Sequence, residues 1–477
     1  MLSADSSQMP HRNRPGTKPR QPVRLFQTEN RPLFETEKRS IMGMTYEEAR
    51  DFLARVEAKG NLLGLESVRG LLEELGNPQD RLKFVHIAGT NGKGSVMAYL
   101  EQTLQEAGYR VGRYISPSVF AYEEKIRVNG EWIPKEKVAQ YVSEAADAIA
   151  RLERAGAALP TIFEVETAVS FLYFVDQKCD LVLLEVGMGG AEDATNVVKT
   201  TILEMFASIS LDHMEFLGDT IGKIALVKSG IMKKGVPAVS DAQDPEAEAV
   251  LRERAASEGA KIRFAAPDQI NLHRRELTGQ TFSYKSHSKV TIPLLGTYQL
   301  RNAALALEAV DELRALGWQL PEEAVQRGFA STRWPGRFEV LRRGGAGSGK
   351  AWAVMDGAHN PDAAVQLAQS LKAFFPGRRY VYVFGIFADK EYEKVIRITA
   401  PLADRIFTIQ TPGNSRALPA QELTEAIRGS FPDKEITTVG EEIFRALDMA
   451  DAAAGEEDVI VAFGSLSFLA EVKRYFS

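Results

Sequence analysis

The run Phe84-Val85-His86-Ile87-Ala88-Gly89-Thr90-Asn91-Gly92-Lys93-Gly94-Ser95-Val96-Met97 joins an apolar stretch, a glycine-rich turn and the start of a helical pattern. A turn of this kind presents backbone N–H groups at a helix N-terminus, where the helix dipole also favours anions, and Lys93 can reach terminal phosphates. The chemistry is that of a nucleotide phosphate cradle. The run departs twice from the general phosphate-loop formula: Ile87 stands where glycine is expected, and Gly94 separates Lys93 from the hydroxyl of Ser95.

Further polar residues follow short apolar runs, where an open parallel sheet binds its ligands. Ser116 and Pro117 follow Val111–Ile115, Glu185 ends the run begun by Leu181, and Asp212 and His213 follow Thr201–Ile209. Together with the phosphate loop they would converge on one cleft. A carboxylate at Glu185 is costly unless it faces a cation such as Mg²⁺ or is bonded to backbone amides. Ser116 either offers its hydroxyl to the same ion or caps a turn. Magnesium prefers oxygen, so His213 is either structural or serves a second divalent site. Asp212 either orients a ligand or caps a helix beginning near Asp219, and Lys228 reads as a solvated lysine late in a helix spanning Ile221–Ile231.

Helical periodicity begins at Thr45, with Ala49, Phe52, Leu53 and Val56 on one face, and a second helix is expected near Val68–Leu75. After the phosphate loop, Val96, Leu100, Leu104 and Ala107 repeat at helical spacing up to Gly108. Apolar runs alternating with helices predict an α/β fold with a parallel sheet covered on both faces. Alternation around Thr281–Tyr284 and Val290–Ile292 predicts a small antiparallel insertion within 261–293. The glycine-rich stretch 344–349 is either a linker or a hairpin tip. Beyond it, strands at Ala351–Met355, Arg379–Phe384, Arg405–Ile409 and Asp458–Phe463 and helices at Pro361–Phe374 and Pro419–Ile427 predict a second, smaller α/β domain.

A chain of 477 residues exceeds one compact core, so two domains are expected. A net charge of −6 gives no general attraction to nucleic acid or anionic membranes, which leaves small molecules as partners of an expected monomer. The single Cys179 has no disulfide partner, so a reducing, cytoplasmic setting is expected, and the scattered histidines make a structural zinc site improbable. No run is long and apolar enough to span a membrane, and the start lacks a secretory apolar core. Residues 1–43 are rich in Pro, Arg, Gln and Ser and read as a disordered extension; its prolines argue against an amphipathic organelle-targeting helix. Met42 and Met44 could serve as alternative starts.

The segment GTNGKGS resembles the phosphate loop of the Mur ligase superfamily, ATP-dependent enzymes that form amides between a carboxylate and an amino acid. Further pieces sharpen the resemblance to the folylpolyglutamate synthase family, including the bifunctional dihydrofolate synthases, from about Met44 to the C-terminus. They are Thr161–Glu164, the run Glu185–Gly190 with Asp193–Asn196, Leu211–Gly218, Gly296–Gln299 with Asn302–Ala304, Trp334–Arg337, Asp356–Pro361 and Phe463–Ser465.

The resemblance implies a Mur ligase-like ATPase domain with a mainly parallel sheet over 44–336 and a Rossmann-like C-terminal domain over 337–477. It implies that Asn91, Gly92, Lys93, Gly94 and Ser95 hold ATP phosphates, that Asn302, Arg337 and Asp356 contact the nucleotide, and that Ser116, Glu185 and His213 bind Mg²⁺, with two ions conceivable. Lys93, His213 and Lys228 would be the catalytic group, with Lys228 matching a carbamylated lysine, which requires a neutral amine. Folate contacts would involve Gly64, Leu65, Phe163, Glu164 and Asp193. The implied reaction adds L-glutamate to tetrahydrofolate, and also to 7,8-dihydropteroate, through an acyl phosphate. Competing readings are a cell-wall Mur ligase, which would need a separate N-terminal UDP-binding domain, and a non-catalytic nucleotide switch, which would not need the motif Asp356–Pro361. Ser118-Val119 replaces the family's usual His-Leu, Ala191-Glu192 its Arg-Leu, and Lys125 its common Arg; these bear on pterin or glutamate recognition rather than on ATP.

Overall fold

The computed structural model describes residues 43–57 and 64–477. The expectations for the N-terminal extension, apart from residue 43, lie outside the described residues.

The first sheet is built from β1 (Phe84–Ala88), β2 (Val111–Tyr114), β3 (Ile126–Val128), β4 (Glu131–Trp132), β5 (Leu181–Glu185), β6 (Thr201–Phe206), β7 (Ala238–Ser240) and β8 (Ile262–Phe264). Their order is β4-β3-β2-β5-β1-β6-β7-β8, parallel from β2 to β8 with β3 and β4 antiparallel at one edge. Every residue of β1 and β5 is buried, as a strand covered on both faces requires. Val85 and Ile87 pack toward the helices Lys93–Glu106 and Gln299–Ala315, while Phe84 meets Phe171 of the helix Ile162–Asp176 on the other face, ring centroids 5.5 Å apart. Removing a ring as buried as Phe84 costs about 3–5 kcal/mol.

The helix Tyr46–Glu57 buries Ala49, Phe52, Leu53 and Val56, the face read from the sequence. Thr161 and Glu164 close a reciprocal capping box that starts the helix Ile162–Asp176. The insertion contains β9 (Ile270–Glu276), β10 (Gly279–Tyr284) and β11 (His287–Ile292), all antiparallel. Its expected first residues instead form β8 at the edge of the large sheet, a three-residue strand too short to show a period.

The second sheet contains β12 (Glu339–Arg342), β13 (Trp352–Asp356), β14 (Tyr380–Phe384), β15 (Arg405–Ile409), β16 (Glu435–Gly440) and β17 (Val459–Phe463), in the order β12-β13-β17-β14-β15-β16. It is parallel except for β12. The glycine-rich stretch is therefore the tip of the β12–β13 hairpin and not a linker. Among the described residues, no helix is long and apolar enough to cross a membrane.

Candidate active site

The carboxyl ends of β1, β2, β5, β6 and β7 open into one cavity of about 300 Å³, walled on its far side by the second sheet's domain. The phosphate loop is braced from β6: the N–H groups of Thr90 and Asn91 donate to the Ser208 carbonyl at 2.7 and 3.2 Å. Gly92 has φ of +94°, and a Cβ there would lie 2.5 Å from Asn302 Oδ1, so glycine lets the helix Gln299–Ala315 approach the loop. Gly94, the residue that departs from the general formula, has a similar reason. A Cβ on it would sit 2.2 Å from Trp334 Cζ2, so the indole lies directly on the loop.

Lys93 Nζ donates to the Gly89 carbonyl at 3.1 Å and stands 3.6 Å from Glu185 Oε1. Glu185 Oε2 accepts a 3.4 Å bond from the Ser116 N–H, which brings the β5 and β2 ends together. Burial raises the Glu185 carboxyl above its ordinary range, opposed by Lys93. Ser95 is buried and accepts from Gln299 Nε2 at 3.1 Å, while Asn302 donates to Gln299 Oε1 at 3.1 Å.

Lys228 is not the solvated lysine that its helical position suggested. It is 6 % exposed, donates to the Gly89 carbonyl at 3.1 Å and lies behind the phosphate loop. Burial, reinforced by Lys93, lowers its pKa to about 7. Gly190 makes room for this helix, since a Cβ there would be 2.7 Å from the Lys228 carbonyl. His213 lines the same cavity from a left-handed position, φ +50°. Desolvation of its ring lowers its pKa, Lys390 and Lys228 act in the same direction, and Asp212 opposes them.

Asp212 does not cap the helix expected near Asp219: that helix begins at Ile221 with Thr220 as its cap, and a short helix, Met214–Leu217, comes between them. Its carboxylate instead receives Lys390 at 2.6 Å and Asn360 at 3.2 Å and faces His359 at 3.6 Å, all from the C-terminal domain. Burial alone would raise the Asp212 carboxyl, but His359 and Lys390 outweigh it and hold the group well below the usual carboxylate range. Asn91 extends this seam, donating to Asp362 at 2.8 Å. Asp356 is buried and saturated by Tyr298 OH, Phe338 N and Ala358 N at 2.9, 2.7 and 2.7 Å. It still lines the cavity beside Arg337 and Asn302.

The expected folate residues lie elsewhere. Gly64, Leu65, Phe163, Glu164 and Asp193 are not among the cavity's lining residues. Glu164 accepts from Thr161 N and Ser67 Oγ, both at 2.6 Å, and Asp193 accepts from Met188 N at 2.8 Å and Thr195 N at 3.0 Å. The Phe163 ring packs on Gly187, where a Cβ would come within 2.5 Å, and on Tyr114. Sequence reasoning missed Asp241 and Arg301, which pair at 2.8 Å in the cavity wall. The strand-end rule reaches Asp241, but β7 is only three residues long.

Magnesium usually takes one or two carboxylates together with substrate phosphates rather than an all-protein cage. The Glu185 carboxylate and Ser116 hydroxyl beside the phosphate loop fit that role, and the described residues contain no group of three His, Cys, Asp or Glu able to enclose a metal.

Two family models match this chain: the Mur ligase middle domain over residues 87–310 and the Mur ligase glutamate ligase domain over residues 336–466. The chain belongs to the Mur ligases. Within them it belongs to the folylpolyglutamate synthase/dihydrofolate synthase family. It is 32% identical to the dihydrofolate synthase/folylpolyglutamate synthase of Bacillus subtilis over 442 residues, covering 91% of this chain and 99% of that protein. The structure of Mycobacterium tuberculosis folylpolyglutamate synthase complexed with ADP and AMPPCP matches with a TM-score of 0.80 and 30% identity, covering 91% and 99% of the two chains. That of Escherichia coli FolC in complex with DHPP and ADP matches with a TM-score of 0.77 and 30% identity, covering 90% and 97%. The expected mainly parallel ATPase domain with a second α/β domain agrees with these structures.

Proposed function

We propose that this protein is an ATP-dependent ligase that joins L-glutamate to tetrahydrofolate, and also to 7,8-dihydropteroate, through an acyl phosphate. The observation that carries the reading is the single cavity in which Lys93, Glu185, Ser116 and the loop amides face Arg337, Asn302 and the C-terminal domain. The acceptor carboxylate attacks the γ-phosphate of ATP, ADP leaves, and the glutamate amine displaces phosphate from the acyl phosphate. Two anions meet in the first step. Lys93, the Asn91 side chain and the amides of Gly92–Ser95 offset their repulsion and stabilise the charge that develops on the transferred group.

Ser116, Glu185 and His213 would hold Mg²⁺, which when bound screens the phosphate oxygens. Asn302, Arg337 and Asp356 are assigned to the nucleotide. The seam through Asp212, Lys390 and Asn360 keeps the C-terminal domain over the cavity and limits hydrolysis of the acyl phosphate. We divide the two domains between residues 336 and 337, because the helix Glu322–Ser331 packs on the helix Lys93–Glu106 of the first domain, Phe329 stacking on Tyr99, and β12 pairs in the second sheet.

Lys228, with His213, is assigned to the catalytic group. Its burial and a pKa near 7 favour the neutral amine that carbamylation needs. We place the folate beside Gly64, Leu65 and Phe163, with Glu164 and Asp193 fixing the backbone that presents them. A cytoplasmic reaction agrees with the unpaired Cys179.

The test is glutamate-dependent ADP release with Mg²⁺, with the amide product identified by mass, using tetrahydrofolate, 7,8-dihydropteroate and a UDP-linked cell-wall precursor. Turnover of both pterins is expected. Turnover of the UDP-linked compound alone would overturn the assignment.

A further inference from the structure

The mechanism above leaves a buried arginine unused. Arg113 of β2 is 2 % exposed, and Arg127 of β3 stands directly opposite it in the antiparallel register. Like charges at opposed positions destabilise a sheet, and burying one of them adds to the cost. Both side chains line the cavity, and the Nε of each is buried without a hydrogen-bond partner.

Their surroundings compensate them unequally. Arg113 is paired with Glu101 of the helix Lys93–Glu106 and stacks over Trp334, 4.8 Å from the ring centroid. Arg127 donates one Nη to the Gly130 carbonyl, and among the described residues no acid forms an ion pair with it. The neighbouring Glu124 carboxylate already accepts from the Val119 and Phe120 N–H groups. One guanidinium therefore stands in the cavity wall with spare donor capacity, backed by a second cation that is itself held in place.

We infer that Arg127, backed by Arg113, forms a subsite for a substrate carboxylate at the β2–β3 wall of the cavity. A carboxylate takes charge-assisted N–H bonds from the Nη groups that a guanidinium presents to a cavity, and its charge would offset the cross-strand repulsion. The inference rests on the proposed ligase reaction, in which two substrates carry such a group: the incoming L-glutamate and the glutamyl end of the folate acceptor. Arg127 is the contact, and Arg113 positions it and supplies field.

The test compares the full-length protein with Arg127→Gln and Arg127→Lys. Equilibrium binding of L-glutamate and of tetrahydrofolate is measured in the presence of ADP, alongside the KM of each substrate and of ATP. Arg127→Gln is expected to weaken one of the two carboxylate ligands about tenfold in both Kd and KM, with the KM for ATP within about twofold, and Arg127→Lys to recover part of the loss. Weakened L-glutamate assigns the subsite to the incoming amino acid; weakened tetrahydrofolate assigns it to the acceptor. Unchanged binding of both ligands by a folded variant, or a loss confined to ATP, overturns the subsite while leaving the ligase reading intact. A wild type that binds these ligands without turnover overturns the ligase reading instead, and a wild type that binds neither overturns both.

Discussion

The nucleotide side and the proposed folate side of this protein are built on different principles. Around the phosphate loop, polar groups line a shared cavity: Lys93 sits near Glu185 without closing on it, and Ser116, Asn302 and Arg337 stand in the same wall. Around Phe163 the polar groups are spent. Glu164 is consumed by its own helix cap and Ser67, and Asp193 by Met188 and Thr195. Such saturation turns side chains into scaffold, so specificity there rests on ring packing and backbone placement. Catalytic charge, by contrast, must keep donor capacity free until substrate arrives.

The largest effect that could break this contrast is in Lys93→Ala. Loss of one preorganised cation at the phosphate should lower glutamate-dependent ADP release about 10³-fold with the unfolding midpoint unchanged. A mild loss of rate would mean that Lys93, like Glu164, is saturated by its protein neighbours.

Gly94→Ala tests the packing beneath the same loop. A methyl group at that position collides with the Trp334 ring, so we expect about tenfold weaker ATP binding, measured by calorimetry. The double variant with Trp334→Ala should recover part of it. Failure of the second change to help would show that the indole does not set the loop.

Glu164→Ala tests the saturated side. It should lower unfolding free energy in urea by about 1–2 kcal/mol through the lost cap and the stranded Ser67, and raise the KM for folate about threefold. The KM for ATP should not move.

The smallest effect at neutral pH concerns Lys228. Its folded pKa, near 7, lies below the ordinary lysine value of 10.5, so between those pH values the unfolded chain holds a proton that the folded chain has released. Wild-type stability relative to Lys228→Met should therefore rise with pH from about 7 to about 10. A flat difference would contradict a neutral buried amine.

The nucleotide side was also the more legible in the sequence. Apolar runs locate β1, β5 and β6, and the strand-end rule then brings Ser116, Glu185 and His213 to one place without knowledge of the fold. Lys228 was misplaced because a helical period reports the average face and not the neighbour, here the phosphate loop. Asp212 was ambiguous because Lys390 and His359 lie far along the chain, and no local pattern carries a contact between domains. The arginine pair was invisible for the same reason: the register that opposes Arg113 and Arg127 is a tertiary fact.

One measurement reaches the central claim, that a folate carboxylate is activated by ATP in the cleft between the two domains. Tetrahydrofolate carrying ¹⁸O in its γ-carboxylate is turned over with ATP and L-glutamate, and the released phosphate is analysed by mass. The account predicts one ¹⁸O in each phosphate, the other remaining in the amide. Phosphate free of label, with glutamate nevertheless joined to the folate, would contradict it.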